Sequence, residues 1–145
     1  MDGIIERYRK EGFKLTPQRI AIIKILEGNT SHPTAEDIYR ELKKKHPTVS
    51  FATVYNTIQA LTDRGDLVEV TIDPERKHFD PNSTPHHHIM CAECGKISDI
   101  FVDYSQALSL PGDVVSEYEV LGNHVDFYGI CGDCRETHDA ADKVN

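Results

Sequence analysis

No stretch of this 145-residue chain approaches the ~20 apolar residues of a membrane-spanning helix. Its opening, "MDGIIERYRKEG", is charged throughout and has no apolar run long enough for a signal peptide. The expectation is a soluble cytoplasmic protein with no membrane partner. Cysteine is scarce, with four residues in all. In a compartment that keeps thiols reduced, two structural disulfides are disfavoured and metal binding is the better use of four cysteines. Internal repeats and low-complexity segments are absent, which leaves an ordinary folded chain. With 39% hydrophobic residues it can bury a core. Two small domains cut from this length are each marginal alone, so staples or a partner subunit are expected.

Basic residues are also scarce, but only in one part of the chain. Residues 81 to 145 hold 3 Lys/Arg against 11 Asp/Glu, whereas residues 1 to 80 hold 13 of each. The net charge of −8 therefore lies in the second part and does not exclude nucleic-acid binding by the first. Arg7, Arg9, Lys10, Lys14, Arg19 and the run Lys43, Lys44, Lys45 are candidates for phosphate contacts. The bland alternative is solvated helix surface.

The first 65 residues carry helix start and stop signals. "IIERYRKEG" ends at Gly12, and "TPQRIAIIKILEG" has Thr16 as N-cap, Pro17 at the first helical position and Gly28 as terminator. "PTAEDIYRELKKKHP" opens with a capping box from Thr34 to Asp37 and is stopped by Pro47. "SFATVYNTIQALTDRG" runs from Ser50 to Gly65, with Phe51, Val54, Ile58 and Leu61 on one stripe and Thr53, Tyr55, Asn56, Thr57 and Gln59 largely off it. "LVEVTI" and "KHFD", either side of the turn "DPER", read as short strands.

Helices followed by a hairpin make an N-terminal winged helix-turn-helix domain over residues 1–80, with the helix from Ser50 to Arg64 entering the major groove of a double-stranded DNA operator. Ser50, Thr53, Tyr55, Asn56, Thr57 and Arg19 are the candidate DNA-binding residues. A helical bundle that binds a protein is the competing reading.

After "PNSTP", a hinge linker over residues 81–85, the character changes. "HHIMC" and "KISDIFVD" read as strands, residues 104 to 110 as a short helix, "EVLGNHVDFYGIC" as a final strand or two, and "RETHDAADKVN" as a frayed tail. Residues 86–145 thus form a small α/β domain, and the fold class of the whole is α+β. Within it, Cys91 and Cys94 form one knuckle pair and Cys131 and Cys134 another, with 36 residues between them. A two-residue spacer lets both sulfurs reach one metal, and two pairs supply the four thiolates of a structural zinc site. Gly95 and Gly132 suit the turns. The rivals are a thioredoxin-like pair, which should open a helix after a strand, and disulfides.

Just ahead stand His86, His87 and His88. In an extended segment His86 and His88 share a face and His87 takes the other, so two of the three can chelate together. Asp80 and Asp99 are oxygen-ligand candidates nearby in sequence, and His32 the candidate from the first domain.

The segments "SHPTAEDIYR", "SFATVYNTIQAL", "HHIMCAECGKISDIF" and "YGICGDC" closely resemble the ferric uptake regulator (Fur) superfamily, over nearly the whole chain. The resemblance implies a dimeric winged-helix repressor whose C-terminal domain dimerises around structural zinc, with a regulatory metal at the hinge. The match looks closest to the peroxide-sensing (PerR) branch, whose regulatory Fe(II) or Mn(II) is held by three histidines and two aspartates. These map onto His32, Asp80, His86, His88 and Asp99. The iron-sensing branch typically has glutamates at the two aspartate positions and commonly Arg in place of Asn56.

The resemblance further implies that peroxide oxidises His32 or His86 when iron is bound, which releases metal and then DNA. One departure stands out, in that His124 lies one position off the family's usual histidine. His87 is accordingly expected on the surface. A metal-uptake regulator for iron, manganese or zinc is the alternative within the superfamily. A metallohydrolase is a remoter one, since no general base sits inside the ligand motifs; the protein is not read as an enzyme.

Overall fold

In the computed structural model, which describes residues 2–144, the local signals of the first half become four helices. They are α1 (Asp2–Lys10), α2 (Pro17–Leu26), α3 (Ala35–Lys43) and α4 (Phe51–Asp63). Thr16 Oγ1 accepts the Arg19 N–H at 3.2 Å and Ser50 Oγ accepts the Thr53 N–H at 3.1 Å, each satisfying one donor that a helix start leaves without an intrahelical partner. At α3 the capping is reciprocal: Thr34 Oγ1 accepts from Asp37 N–H and Asp37 Oδ2 accepts from Thr34 N–H. Gly12, Gly28 and Gly65 follow the helices at positive φ, where a Cβ would be strained.

These helices enclose one core in which Ile22, Ile38 and Val54 are fully buried, with Tyr8, Leu26, Leu42, Ile58 and Leu61 around them. Ile38→Ala should cost about 2–5 kcal/mol, a lost side chain plus the cavity it leaves, and thermal denaturation of the N-terminal unit measures it. Behind α4, β1 (Val68–Val70) pairs antiparallel with β2 (His78–Asp80), in the register Val70↔His78. Phe51 departs from the expected stripe, being 40% exposed at the first turn of α4, where it meets Tyr39 edge-on. Thr57 takes its place inside at 1% exposed.

The chain divides into two compact units at Thr84/Pro85. In the second unit β3 (His87–Cys91) is the central strand of a three-stranded sheet, antiparallel to β4 (Ile97–Ile100) and parallel to β5 (Asp126–Gly129). A four-residue helix, α5 (Gly112–Val115), lies between β4 and β5, and α6 (Gly132–Val144) follows β5.

Two expectations for this half need correction. The short helix falls at 112–115 and not at 104–110, because Pro111 supplies the helix start. The polar tail continues α6 instead of fraying, since a polar sequence without proline can extend a helix once it is started. Phe101, Val102, Leu110, Tyr118, Leu121 and Tyr128 are half or more exposed, a concentration of apolar surface that calls for a partner. Among the described residues, no helix is long and apolar enough to cross a membrane.

Candidate metal centres and nucleic-acid face

The parallel register Cys91↔Gly129 brings the ends of β3 and β5 together, and with them the two cysteine pairs. Cys91 and Cys94 flank a tight turn closed by Gly95 N–H to Cys91 O at 2.9 Å, with Gly95 at φ +77°. The second pair is built differently. Gly132 is not in a left-handed turn but opens α6, and the Arg135 N–H to Cys131 O bond at 2.9 Å is that helix's first. A pair at a strand-to-helix junction is what a thioredoxin-like site would show. Here, however, all four sulfurs lie within 4.8 Å of one another and all four cysteines are free.

Cys94 Sγ and Cys131 Sγ are 3.7 Å apart, which matches the edge of about 3.8 Å of a tetrahedron with metal–sulfur bonds near 2.3 Å. The backbone N–H of Cys131, 3.3 Å from the Cys91 sulfur, and that of Cys94 pull the Cys91 thiol down to about 6, well below the ordinary cysteine value. Cys134 is pushed up, chiefly by the Cys131 side chain, with burial and the other sulfurs adding to it. Four crowded sulfurs thus oppose one another's ionisation unless a cation sits among them, and the donor set fits zinc.

At the other end of β3 the strand pleat and the register His88↔Asp99 gather a second set. Asp99 Oδ1 lies 2.8 Å from His86 Nε2 and 3.2 Å from His88 Nε2, and the two imidazole centroids are 4.6 Å apart. His86 precedes the strand yet keeps the face that alternation predicts, with Phe101 stacked on its ring at 5.0 Å. In the N-terminal unit, His32 Nε2 lies 3.3 Å from Asp80 Oδ2, and the two residues are only 1% and 2% exposed. Donor atoms 2.8–3.3 Å apart have the spacing of neighbouring ligands around one ion with bonds near 2.1 Å. Imidazole with carboxylate suits Fe(II), Mn(II) or Zn(II).

His87 is not on the surface. It is 7% exposed, its Nδ1 accepts the Val125 N–H at 2.9 Å, and Tyr104 packs edge-on against its ring. The reason is its place on the central strand, between β4 and β5, with the Tyr104 and His124 rings beside it. His124 instead joins Asp126, at 3.2 Å, and His88 in a third group of ligand atoms within 4.8 Å. Sequence reading passes over Asp126, although its alternation with His124 along an extended segment is the signal that would find it.

On the N-terminal unit, the starts of α2 and α4 border an open cleft of about 440 Å³ lined by Lys14, Thr16, Gln18, Arg19, Ser50, Thr53 and Asn56. Ser50, Tyr55 and Asn56 are exposed and Thr53 half-buried. Arg19 lies over the Phe13 ring at 4.9 Å and donates to the Lys14 carbonyl at 3.2 Å, which holds its guanidinium near that cleft. Thr57 also borders the cleft. Its hydroxyl donates to the Thr53 carbonyl at 2.8 Å and its side chain is buried, so it does not read bases.

Helices with a strand pair in one unit, and a four-cysteine centre on an α+β unit in the other, define a two-unit transcription regulator of the metal-binding kind. The chain belongs to the ferric uptake regulator family, whose profile matches residues 10–110. It is 37% identical over 136 residues to the peroxide-responsive repressor PerR of Staphylococcus epidermidis, covering 94% of this chain and 91% of that one. It is 33% identical to the Staphylococcus aureus (strain Mu50) protein of the same name, covering 94% and 92%. Among solved structures, the ferric uptake regulator from Francisella tularensis with iron superposes with a TM-score of 0.72 at 27% identity, over 86% of this chain and 96% of that one. PerR from Streptococcus pyogenes gives 0.52 at 33% identity, over 91% and 90%. Members of this family are transcriptional regulators and not enzymes.

Proposed function

We propose that the protein is a dimeric, metal-dependent repressor that releases its DNA operator when peroxide oxidises the ligands of its regulatory metal. The observation that carries this reading is the paired arrangement of ligands: His86 and His88 converge on Asp99 in one unit, and His32 stands against Asp80 in the other. Likeness to repressors named for peroxide response supports it.

The roles follow from position. His32, Asp80, His86, His88 and Asp99 hold Fe(II) or Mn(II), and Cys91, Cys94, Cys131 and Cys134 hold structural Zn(II). Ser50, Thr53, Tyr55 and Asn56 on α4 face base edges, and Arg19 faces phosphate. The exposed apolar residues of the second unit meet a second copy of the chain, so that two recognition helices reach successive half-sites. Residues 81–85 act as the hinge. Ligands drawn from both sides of it bind metal better when the units are closed, and that difference in affinity is what shifts the population toward the DNA-binding state. Iron, when bound, supplies one-electron reduction of peroxide and so an oxidant beside its ligands. His32 and His86 present the imidazole carbons that take up oxygen, and an oxidised imidazole no longer holds its place.

Protein loaded with Fe(II) or with Mn(II) and treated with peroxide tests this by peptide mass. Oxygen gain on the peptides containing His32 or His86, with iron and not with manganese, is expected. An unchanged mass with both metals would leave a metal-uptake regulator as the reading.

A further inference from the structure

Among the described residues, His32 is the one non-glycine residue at positive φ, at +53°. Histidine tolerates that region better than most residues, but the conformation persists only where neighbours hold it. The β2 strand does so. Phe79 N–H donates to the Pro33 carbonyl at 2.9 Å, and Thr34 bridges to His78 across the same edge. The third contact comes from a side chain 46 residues away: His78 Nδ1 lies 2.7 Å from the His32 carbonyl oxygen. A carbonyl oxygen only accepts, so Nδ1 carries the hydrogen of this bond. The other ring nitrogen, Nε2, shares a hydrogen with Asp73 Oδ2 at 2.9 Å. Asp73 in turn caps the hairpin tip, its Oδ1 accepting the Glu75 N–H at 2.9 Å. His78 therefore spans from the tip of the hairpin to the backbone of a buried histidine whose imidazole faces Asp80.

We propose that His78 is the positioning residue of the regulatory site: through Nδ1 it fixes the left-handed turn that aims His32, and through Nε2 and Asp73 it makes that turn answer to the hairpin. The inference rests on the reading of His32 as a metal ligand. Its functional content is a link between the hairpin of the DNA-binding unit and the metal. A hairpin held in place keeps His32 aimed, and a bound metal keeps the hairpin in place, because coupling of this kind is reciprocal. The backbone bond from Phe79 to Pro33 does not depend on which side chain stands at 78, so His78 is the point at which substitution separates the functions.

Two substitutions divide the ring's roles. His78→Asn sets an amide nitrogen where Nδ1 stands and keeps the bond to His32, whereas His78→Gln sets one where Nε2 stands and keeps only the bond to Asp73. In full-length, zinc-loaded protein, His78→Gln is expected to weaken Mn(II) binding about tenfold, as for loss of a partner that orients a ligand, and to speed amide hydrogen exchange over residues 31–34 before any Mn(II) is added. His78→Asn should stay within about twofold of the wild type in Mn(II) affinity, rescuing the site with the hydrogen bond alone. Zinc content and melting temperature confirm that both variants fold. Wild-type Mn(II) affinity in His78→Gln, or equal losses in both variants, would overturn the proposal. A wild-type protein that takes up no metal beyond zinc would overturn the ligand reading instead, and exchange at 31–34 would then decide alone whether His78 holds the turn.

Discussion

Cys91→Ser is expected to release the zinc and unfold residues 85–145, while the N-terminal unit keeps its own melting transition. Cys91 is the most buried of the four cysteines and the one whose sulfur accepts backbone N–H groups from both knuckles, so it is the ligand with the most local support for a thiolate. The second unit has a three-stranded sheet, two helices and much exposed apolar surface, and few buried residues of its own beyond Met90, Cys91 and Ile97 with His87 and His88. Such a unit does not accumulate the burial that offsets the entropy of ordering about 60 residues. A structural zinc contributes about 10–16 kcal/mol in small metal-folded domains, more than the net stability of most domains of this size. The independence of the first unit follows from its own enclosed core. Zinc counted per chain, with amide dispersion in an NMR spectrum read for each unit, checks the outcome. A variant that loses zinc but keeps β3, β4 and β5 protected from exchange would show that the sheet stands without the metal.

His32→Ala is expected to abolish metal-activated DNA binding while zinc content and dimerisation stay as in the wild type. Loss of a partner that only orients a ligand costs 10–100-fold in metal affinity, so loss of a ligand should cost more than about a hundredfold. The substitution touches neither the cysteines nor the cleft at α2 and α4, which leaves the basal, metal-independent affinity for DNA in place. Operator affinity with and without Mn(II), at one fixed salt concentration, measures the effect, since phosphate contacts make any such number salt-dependent. Because alanine is strained at φ +53°, His32→Asn is the companion variant, asparagine being better suited to that backbone. Normal activation of either variant by Mn(II) would sink the assignment of His32.

What the sequence made legible was whatever depends on neighbours close along the chain. Thr16, Thr34 and Ser50 cap their helices because a cap needs only the next three residues, and the two Cys-x-x-Cys pairs, by their spacing, point to one cluster of sulfurs. His86 and His88 fall on one face because strand alternation has a fixed period. The misreadings involve contacts that cross the fold. Thr57 turns inward because helix α4 packs on two partners and its buried face, Val54, Thr57, Ile58 and Leu61, is rotated away from Phe51. His87 is buried because β3 is central, which no local signal reveals. His78 drew no notice, since its meaning lies in a bond to a residue 46 positions away and in a backbone angle that residue types do not encode.

The β3 strand carries His88 near its start and Cys91 at its end, with His86 just ahead. Five residues of extended chain span about 17 Å from His86 to Cys91. Two chemistries vulnerable to the same oxidant, imidazole and thiolate, are thus spaced along one stiff rod and not mixed in one pocket. On the proposed peroxide-sensing reading, an oxidant formed among the histidines would meet the rings around it, including Phe101 stacked on His86, before the sulfurs at the far end of the strand. On the proposed reading the strand would serve as a firebreak: the regulatory ligands could be sacrificed while the four-cysteine centre at the far end stays intact.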